Sequence, residues 1–165
     1  MPMNVLVAYG TTNGSTAEIA ETIAEVLRKE GLTAEALPAG AVPDVAAYDA
    51  VVVGGGLYAG HWHKDARSFV RRHGKALGER PLWLFSSGPL DPSASERDIP
   101  PVPGVKKAMN RLDAQEHVTF GGCLREGAKG WVARMILRNG KGGDFRDFER
   151  IEAWAARIGH ELTLV

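Results

Sequence analysis

The run Asn4-Val5-Leu6-Val7-Ala8 passes directly into Tyr9-Gly10-Thr11-Thr12-Asn13-Gly14-Ser15-Thr16, and a helical pattern begins at once. A nearly unbroken apolar run suits a parallel strand whose two faces are both covered. The turn behind it switches abruptly to hydroxyls, an amide and glycines. A helix that starts there leaves its first N–H groups without internal partners, and its dipole draws an anion to that end. Thr11, Thr12, Ser15 and Thr16 add side-chain donors, while Gly10 and Gly14 let the backbone close around a bound group. The stretch therefore predicts an α/β chain with an anion-binding turn after its first strand. A plainer reading also stands, in which Ser15 or Thr16 merely caps the helix.

The remaining pattern alternates. Ile19, Ile23, Val26 and Leu27 share a helical face that Gly31 terminates. Residues 32–37 read as a short edge strand, and residues 50–53 as a strongly buried one that ends in the loop Gly54-Gly55-Gly56-Leu57-Tyr58-Ala59-Gly60-His61-Trp62-His63. From Trp62 a helix carries Ala66, Phe69, Val70 and His73 until Gly78 and Pro81 stop it. Residues 81–85 form a fourth strand opening into Ser86-Ser87-Gly88-Pro89-Leu90. Four prolines, at 92, 100, 101 and 103, then predict a long irregular loop. A brief helix over 105–112, a fifth strand over 118–122 and a closing helix over 148–162 complete the chain. Alternating strands and helices imply right-handed crossovers and a parallel sheet covered on both faces. The expectation is a flavodoxin-like three-layer sandwich with a five-stranded parallel sheet in the order 2-1-3-4-5, and with the loops at Tyr9, Gly54 and Ser86 converging where strand order reverses.

A length of 165 residues fits one domain spanning 1–165. Twenty basic residues balance twenty acidic ones, so no global charge points to a nucleic-acid partner. The single Cys123 excludes an internal disulfide; among Gly121, Gly122 and Leu124 it reads as a small buried residue in a reducing, cytoplasmic setting. No stretch approaches the ~18 uninterrupted apolar residues of a membrane span, and no cleavable leader is visible.

The first turn carries no lysine and fits neither Gly-x4-Gly-Lys-Ser/Thr nor Gly-x-Gly-x-x-Gly, which turns the reading away from nucleoside triphosphates and dinucleotides. It resembles the FMN-phosphate loop of flavodoxins, Ser/Thr-x-Thr-Gly-x-Thr: Thr11, Gly14 and Thr16 match, and Asn13 replaces the middle threonine. The resemblance implies FMN, with Thr11, Thr12, Asn13, Gly14, Ser15 and Thr16 on the phosphate. Gly56, Leu57, Tyr58, Ala59 and Gly60 would frame the ring with Ser87, Gly88, Pro89 and Leu90, and Tyr58 would lie against it. A phospho-acceptor receiver shares this fold but needs acidic residues after the first and third strands, where Tyr9-Gly10 and Gly54-Gly55 stand. His61 and His63 lack a third ligand nearby, so no metal is expected. They are candidate catalytic residues for handling a proton or orienting a substrate, the alternative being a solvated helix start.

Tyr58-Ala59-Gly60-His61-Trp62-His63, Phe69-Val70-Arg71-Arg72-His73, Gly121-Gly122-Cys123-Leu124 and Gly142-Gly143-Asp144 resemble the flavodoxin-type protoporphyrinogen oxidases, the quinone-dependent protoporphyrinogen IX dehydrogenases. That resemblance implies an FMN-dependent oxidoreductase with protoporphyrinogen IX as donor and a quinone as acceptor. The proline-rich loop over 89–103 and the lack of an aromatic in 86–90 depart from it. A one-electron carrier and an FMN-free interaction module remain as alternatives, and a homo-oligomer is compatible with each. The inserted segment 125–141 is basic and amphipathic: Trp131, Val132, Met135 and Ile136 share a helical face, and five basic residues oppose only Glu126. It suits peripheral contact with an anionic membrane, an apolar carboxylated substrate, or simple packing on the sheet.

Overall fold

The structure is a computed structural model that describes residues 3–12, 14–90, 92–124 and 143–164. Asn13 and the basic segment 125–141 lie outside the described residues. β1 (Asn4–Gly10) pairs in parallel with β2 (Thr33–Pro38) on one side and β3 (Ala50–Tyr58) on the other. β5 (Leu82–Ser87) and β6 (Glu116–Phe120) continue the sheet. The order is β2-β1-β3-β5-β6, with β4 (His61–Trp62) folded back antiparallel on β3. Its five parallel strands therefore have the expected 2-1-3-4-5 order, with β2 at an edge as expected.

The pleat sorts side chains between two cores. Val5 and Val7 face Ile19, Ile23 and Leu27 of α1 (Ser15–Lys29), and Ile151, Trp154 and Ile158 of α6 (Phe148–Thr163). Leu6 and Ala8 face the opposite layer, where Ala66, Phe69 and Val70 of α2 (Lys64–Arg72), Leu77 of α3 (Gly74–Leu77) and Val105, Ala108 and Leu112 of α5 (Pro103–Leu112) pack. Gly31 takes a left-handed φ of 91° just past α1, the expected stop.

Four expectations need correction. The third strand does not end at Val53 but runs nine residues to Tyr58, because its glycines clear space for aromatic rings rather than bend the chain. A Cβ at Gly54 would stand 1.9 Å from Phe85 Cζ, and one at Gly55 would stand 2.7 Å from the Trp62 indole. Next, Trp62 does not begin a helix. Ala59 and Gly60, at φ 49° and 78°, form a tight turn that returns His61 and Trp62 to the sheet, and the indole Nε1 donates to Phe85 O at 3.1 Å. Third, Ser86 and Ser87 belong to β5 itself, and the proline-rich loop contains the short α4 (Ser93–Glu96). Lastly, β6 stops at Phe120; Gly121 and Gly122 leave the ladder, and Cys123 enters a two-stranded ribbon of β7 (Cys123–Leu124) with β8 (Gly143–Asp144). There Cys123 is only partly buried.

Phe85 is wholly buried and edges onto Phe120 and Trp154 at centroid distances of 6.0 and 6.1 Å, so it has little room to retreat. Gly54→Ala should lower stability by about 1–3 kcal/mol in denaturant unfolding, with Phe85→Leu in the same chain recovering part of it. Equal stability of Gly54→Ala and the parent would show that the ring moves freely. His117 in β6 meets Ser86 Oγ through Nε2 at 2.8 Å, while its buried Nδ1 has no partner among the described residues. Burial holds the His117 pKa down at about 4. Because the folded value lies below the unfolded one, this stability is complete above about pH 6.5 and is lost as pH falls toward 4, by about 3 kcal/mol. His117→Gln should flatten that part of the stability profile; an unchanged slope would show the acid sensitivity to arise elsewhere.

Candidate functional site

β1, β3 and β5 end side by side, and the turns that leave them meet. At the first, Gly14 occupies the N-cap position of α1 with φ 85°, and as a glycine it offers the helix no side-chain cap; none comes from the described residues. Neither Ser15 nor Thr16 is therefore the cap; both are already helical. The left-handed φ is one that L side chains adopt only with strain. Its chain neighbours and its own helix aside, no heavy atom of the described residues lies within 4 Å of where a Gly14 Cβ would stand. Thr11 Oγ1 accepts the Gly14 N–H at 3.1 Å and so holds the turn closed.

At the second end, the exposed Tyr58 reaches back across the turn, and its hydroxyl oxygen accepts the Thr12 N–H at 3.3 Å. A Cβ at Gly56 would lie 3.3 Å from both Thr16 Oγ1 and Tyr58 Cε2, which places buried Thr16 beneath the end of β3. Leu57 packs against Gly88: a Cβ there would come within 2.8 Å of it. The third end is stitched to β6 and beyond. Gly88 N–H donates to Phe120 O at 3.2 Å, Gly122 N–H donates to Pro89 O at 2.8 Å, and Ser87 Oγ donates to Gly121 O at 3.1 Å. The structure thus brings Thr11, Thr12, Gly14, Ser15 and Thr16 together with Gly56, Leu57 and Tyr58, and joins Gly88 to them through Leu57. Ala59 and Gly60 form the exposed hairpin tip beyond Tyr58, and Leu90 is partly buried behind Pro89.

The two histidines part company. His61 is exposed in β4, in register with Tyr58. His63 is 7% exposed and caps α2, its Nδ1 accepting the Asp65 N–H at 3.0 Å while its Nε2 stands 3.1 Å from Thr12 Oγ1. It starts a helix, as the plainer reading had it, but is not solvated. Burial lowers its pKa; Asp65 pulls the other way, and Lys64 and Arg67 add to the lowering.

Arg146 is the residue that sequence reasoning passed over. Its buried guanidinium donates to Asp144 Oδ1 at 2.9 Å and Oδ2 at 2.8 Å, and to the Ser15 carbonyl at 3.2 Å, and lies 3.3 Å from Glu18. The bidentate bond to Asp144 raises its pKa further. It clamps the chain just before α6 to the start of α1. The only signal in the sequence was an arginine two places after the acidic residue of Gly143-Asp144.

A helix end with a glycine at its N-cap, a turn rich in hydroxyls and no lysine or arginine in it form a donor set suited to a phosphate monoester rather than to a polyphosphate with its metal. Among the described residues, no three His, Cys, Asp or Glu side chains cluster to hold a metal ion.

The family model described as the flavodoxin domain matches residues 6–142, and the chain belongs to that family. It is a flavodoxin-type redox protein, and FMN is the usual cofactor of that family. Among individual proteins it is similar to protoporphyrinogen IX dehydrogenase (quinone) of Escherichia coli strain K12, with 24% identity over 173 aligned residues covering 96% of each chain. A mutant flavodoxin from Pseudomonas aeruginosa has the same fold, with a TM-score of 0.66 and 16% identity over 98% of this chain and 99% of that one. An archaeal flavodoxin matches with a TM-score of 0.64 and 13% identity over 98% and 99%. Rubredoxin oxygen:oxidoreductase from Desulfovibrio gigas matches 99% of this chain with a TM-score of 0.66 and 14% identity, but this chain spans only 37% of its length.

Proposed function

We propose that the protein is an FMN-dependent dehydrogenase that removes hydrogen from a bulky reduced tetrapyrrole, protoporphyrinogen IX, and delivers it to a quinone. The observation that carries this reading is the end-to-end match to the Escherichia coli dehydrogenase, 96% of both chains. Thr11, Thr12, Asn13, Gly14, Ser15 and Thr16 would hold the phosphate, and Gly56, Leu57, Tyr58, Ala59 and Gly60 with Ser87, Gly88, Pro89 and Leu90 would border the ring. Bound FMN supplies the two-electron redox chemistry. The chain's own part is to hold and orient: the α1 dipole and the hydroxyl donors fix one end of the cofactor, and the ends of β3 and β5 shape the other. A one-electron carrier is the second reading, favoured by full-length likeness to flavodoxins. Against it stands a chain with no net charge and a basic insert at 125–141, where a carrier docking on basic partners would present an acidic face. The proposed site of action is cytoplasmic; among the described residues no helix is long and apolar enough to cross a membrane.

Anaerobic turnover with protoporphyrinogen IX and a water-soluble quinone tests the reading. Because the porphyrinogen loses six hydrogens and each quinone takes two, three quinols per porphyrin are expected from the holoprotein. Stable two-stage, one-electron reduction without turnover would favour the carrier instead. For the phosphate turn, Gly14→Asp sets both strain and negative charge at the helix end. FMN affinity should fall about tenfold or more while riboflavin binding, lacking the phosphate, changes little. Undiminished FMN affinity would remove this turn from the site.

A further inference from the structure

Building on the FMN reading, we propose that His63 is a positioning residue for the cofactor phosphate. Its Nε2–H occupies the Thr12 hydroxyl oxygen, so that the Thr12 proton is directed into the anion-binding turn. The backbone N–H of Asp65 can only donate, and it points at His63 Nδ1. Nδ1 is therefore the acceptor, and the proton of the neutral imidazole resides on Nε2. Thr12 Oγ1, 3.1 Å from Nε2, must then accept. Its own proton has no protein acceptor among the described residues.

The same arrangement recurs twice around the turn. Gly14 N–H donates to Thr11 Oγ1, and Thr12 N–H donates to the Tyr58 hydroxyl oxygen. Thr11, Thr12 and Tyr58 thus each have an oxygen engaged by a protein donor and a proton free for a ligand. A site organised this way receives a group that offers only acceptors, as a phosphate dianion does. Each oxygen keeps acceptor capacity, so the preference for such a group comes from the three protons aimed at it rather than from exclusion of a ligand donor.

The surroundings are arranged for this contact. A Cβ at Gly10 would lie 2.9 Å from His63 Nδ1, so the end of β1 is bare where the imidazole enters. The partly exposed Tyr58 ring stands edge-on to the imidazole at 5.8 Å. Burial keeps the imidazole neutral near pH 7 with the help of Lys64 and Arg67, against Asp65. A purely structural His63 would need only its Nδ1 contact, as the cap of α2. The Nε2 contact is the one aimed at the turn.

Two substitutions separate these roles. His63→Asn retains a capping oxygen but is too short to reach Thr12, whereas the amide of His63→Gln reaches Thr12. In apoprotein titrated with flavin and read by fluorescence, His63→Asn should melt close to the parent, bind FMN about tenfold more weakly and bind riboflavin unchanged. His63→Gln should recover most of the FMN affinity, and His63→Asn added to Thr12→Val should cause no further loss. In the unmutated apoprotein, nitrogen NMR should show His63 protonated on Nε2 alone at pH 7. Equal losses for FMN and riboflavin, no recovery in His63→Gln, or a proton on Nδ1 would each overturn the proposal. Normal FMN uptake by the parent with unchanged affinity in His63→Asn would remove only the role of His63; no uptake by the parent would remove the flavin reading itself.

Discussion

The site depends on a topological constraint: β1 is paired on both sides, and the chain leaves the sheet toward opposite faces from neighbouring strand ends. α1 carries it from β1 into the core shared with α6, and α2 carries it from the hairpin beyond β3 into the other core. Two departures that diverge open a crevice beyond the strands' carboxyl ends. Both helices begin at that crevice, α1 with a glycine at its N-cap and α2 with a histidine cap that also reaches Thr12.

Charge at this crevice is handled by dipoles and hydroxyls. The turn from Tyr9 to Thr16 has no cation, and the arginine that reaches it, Arg146, is held by Asp144 and Glu18. Its bond to the Ser15 carbonyl makes it a clamp between the two ends of the chain. A cationic turn would attract anions of any shape. Oriented N–H and O–H donors at fixed positions discriminate by geometry instead, at the cost of building the hydrogen bonds that orient them.

Much of the fold was legible because its physics is local. β1, α1, α6 and the strand order follow from apolar period and from glycine and proline punctuation. The errors share a cause. Gly54, Gly55 and Gly56 look like a loop in a one-dimensional reading, since glycine weakens strands. Here each lies opposite a group brought to it by folding that needs the missing Cβ: Phe85, Trp62 and Thr16. Trp62 suits the start of a helical pattern, yet two positive-φ residues, Ala59 and Gly60, turn the chain back onto β3 before it. Local propensity yielded to tertiary packing at both places.

By itself, the sequence determined that hydroxyls and glycines follow the first buried strand, and that strands and helices alternate behind it; covalent order and side-chain period are enough for both. Only the tertiary structure decided which partner each donor has. His63 and Thr12 are 51 positions apart, Tyr58 and Thr12 46, Arg146 and Ser15 131. No local rule specifies such pairs, because each exists only once the sheet has ordered its strands and the two helices have set off in opposite directions from its edge.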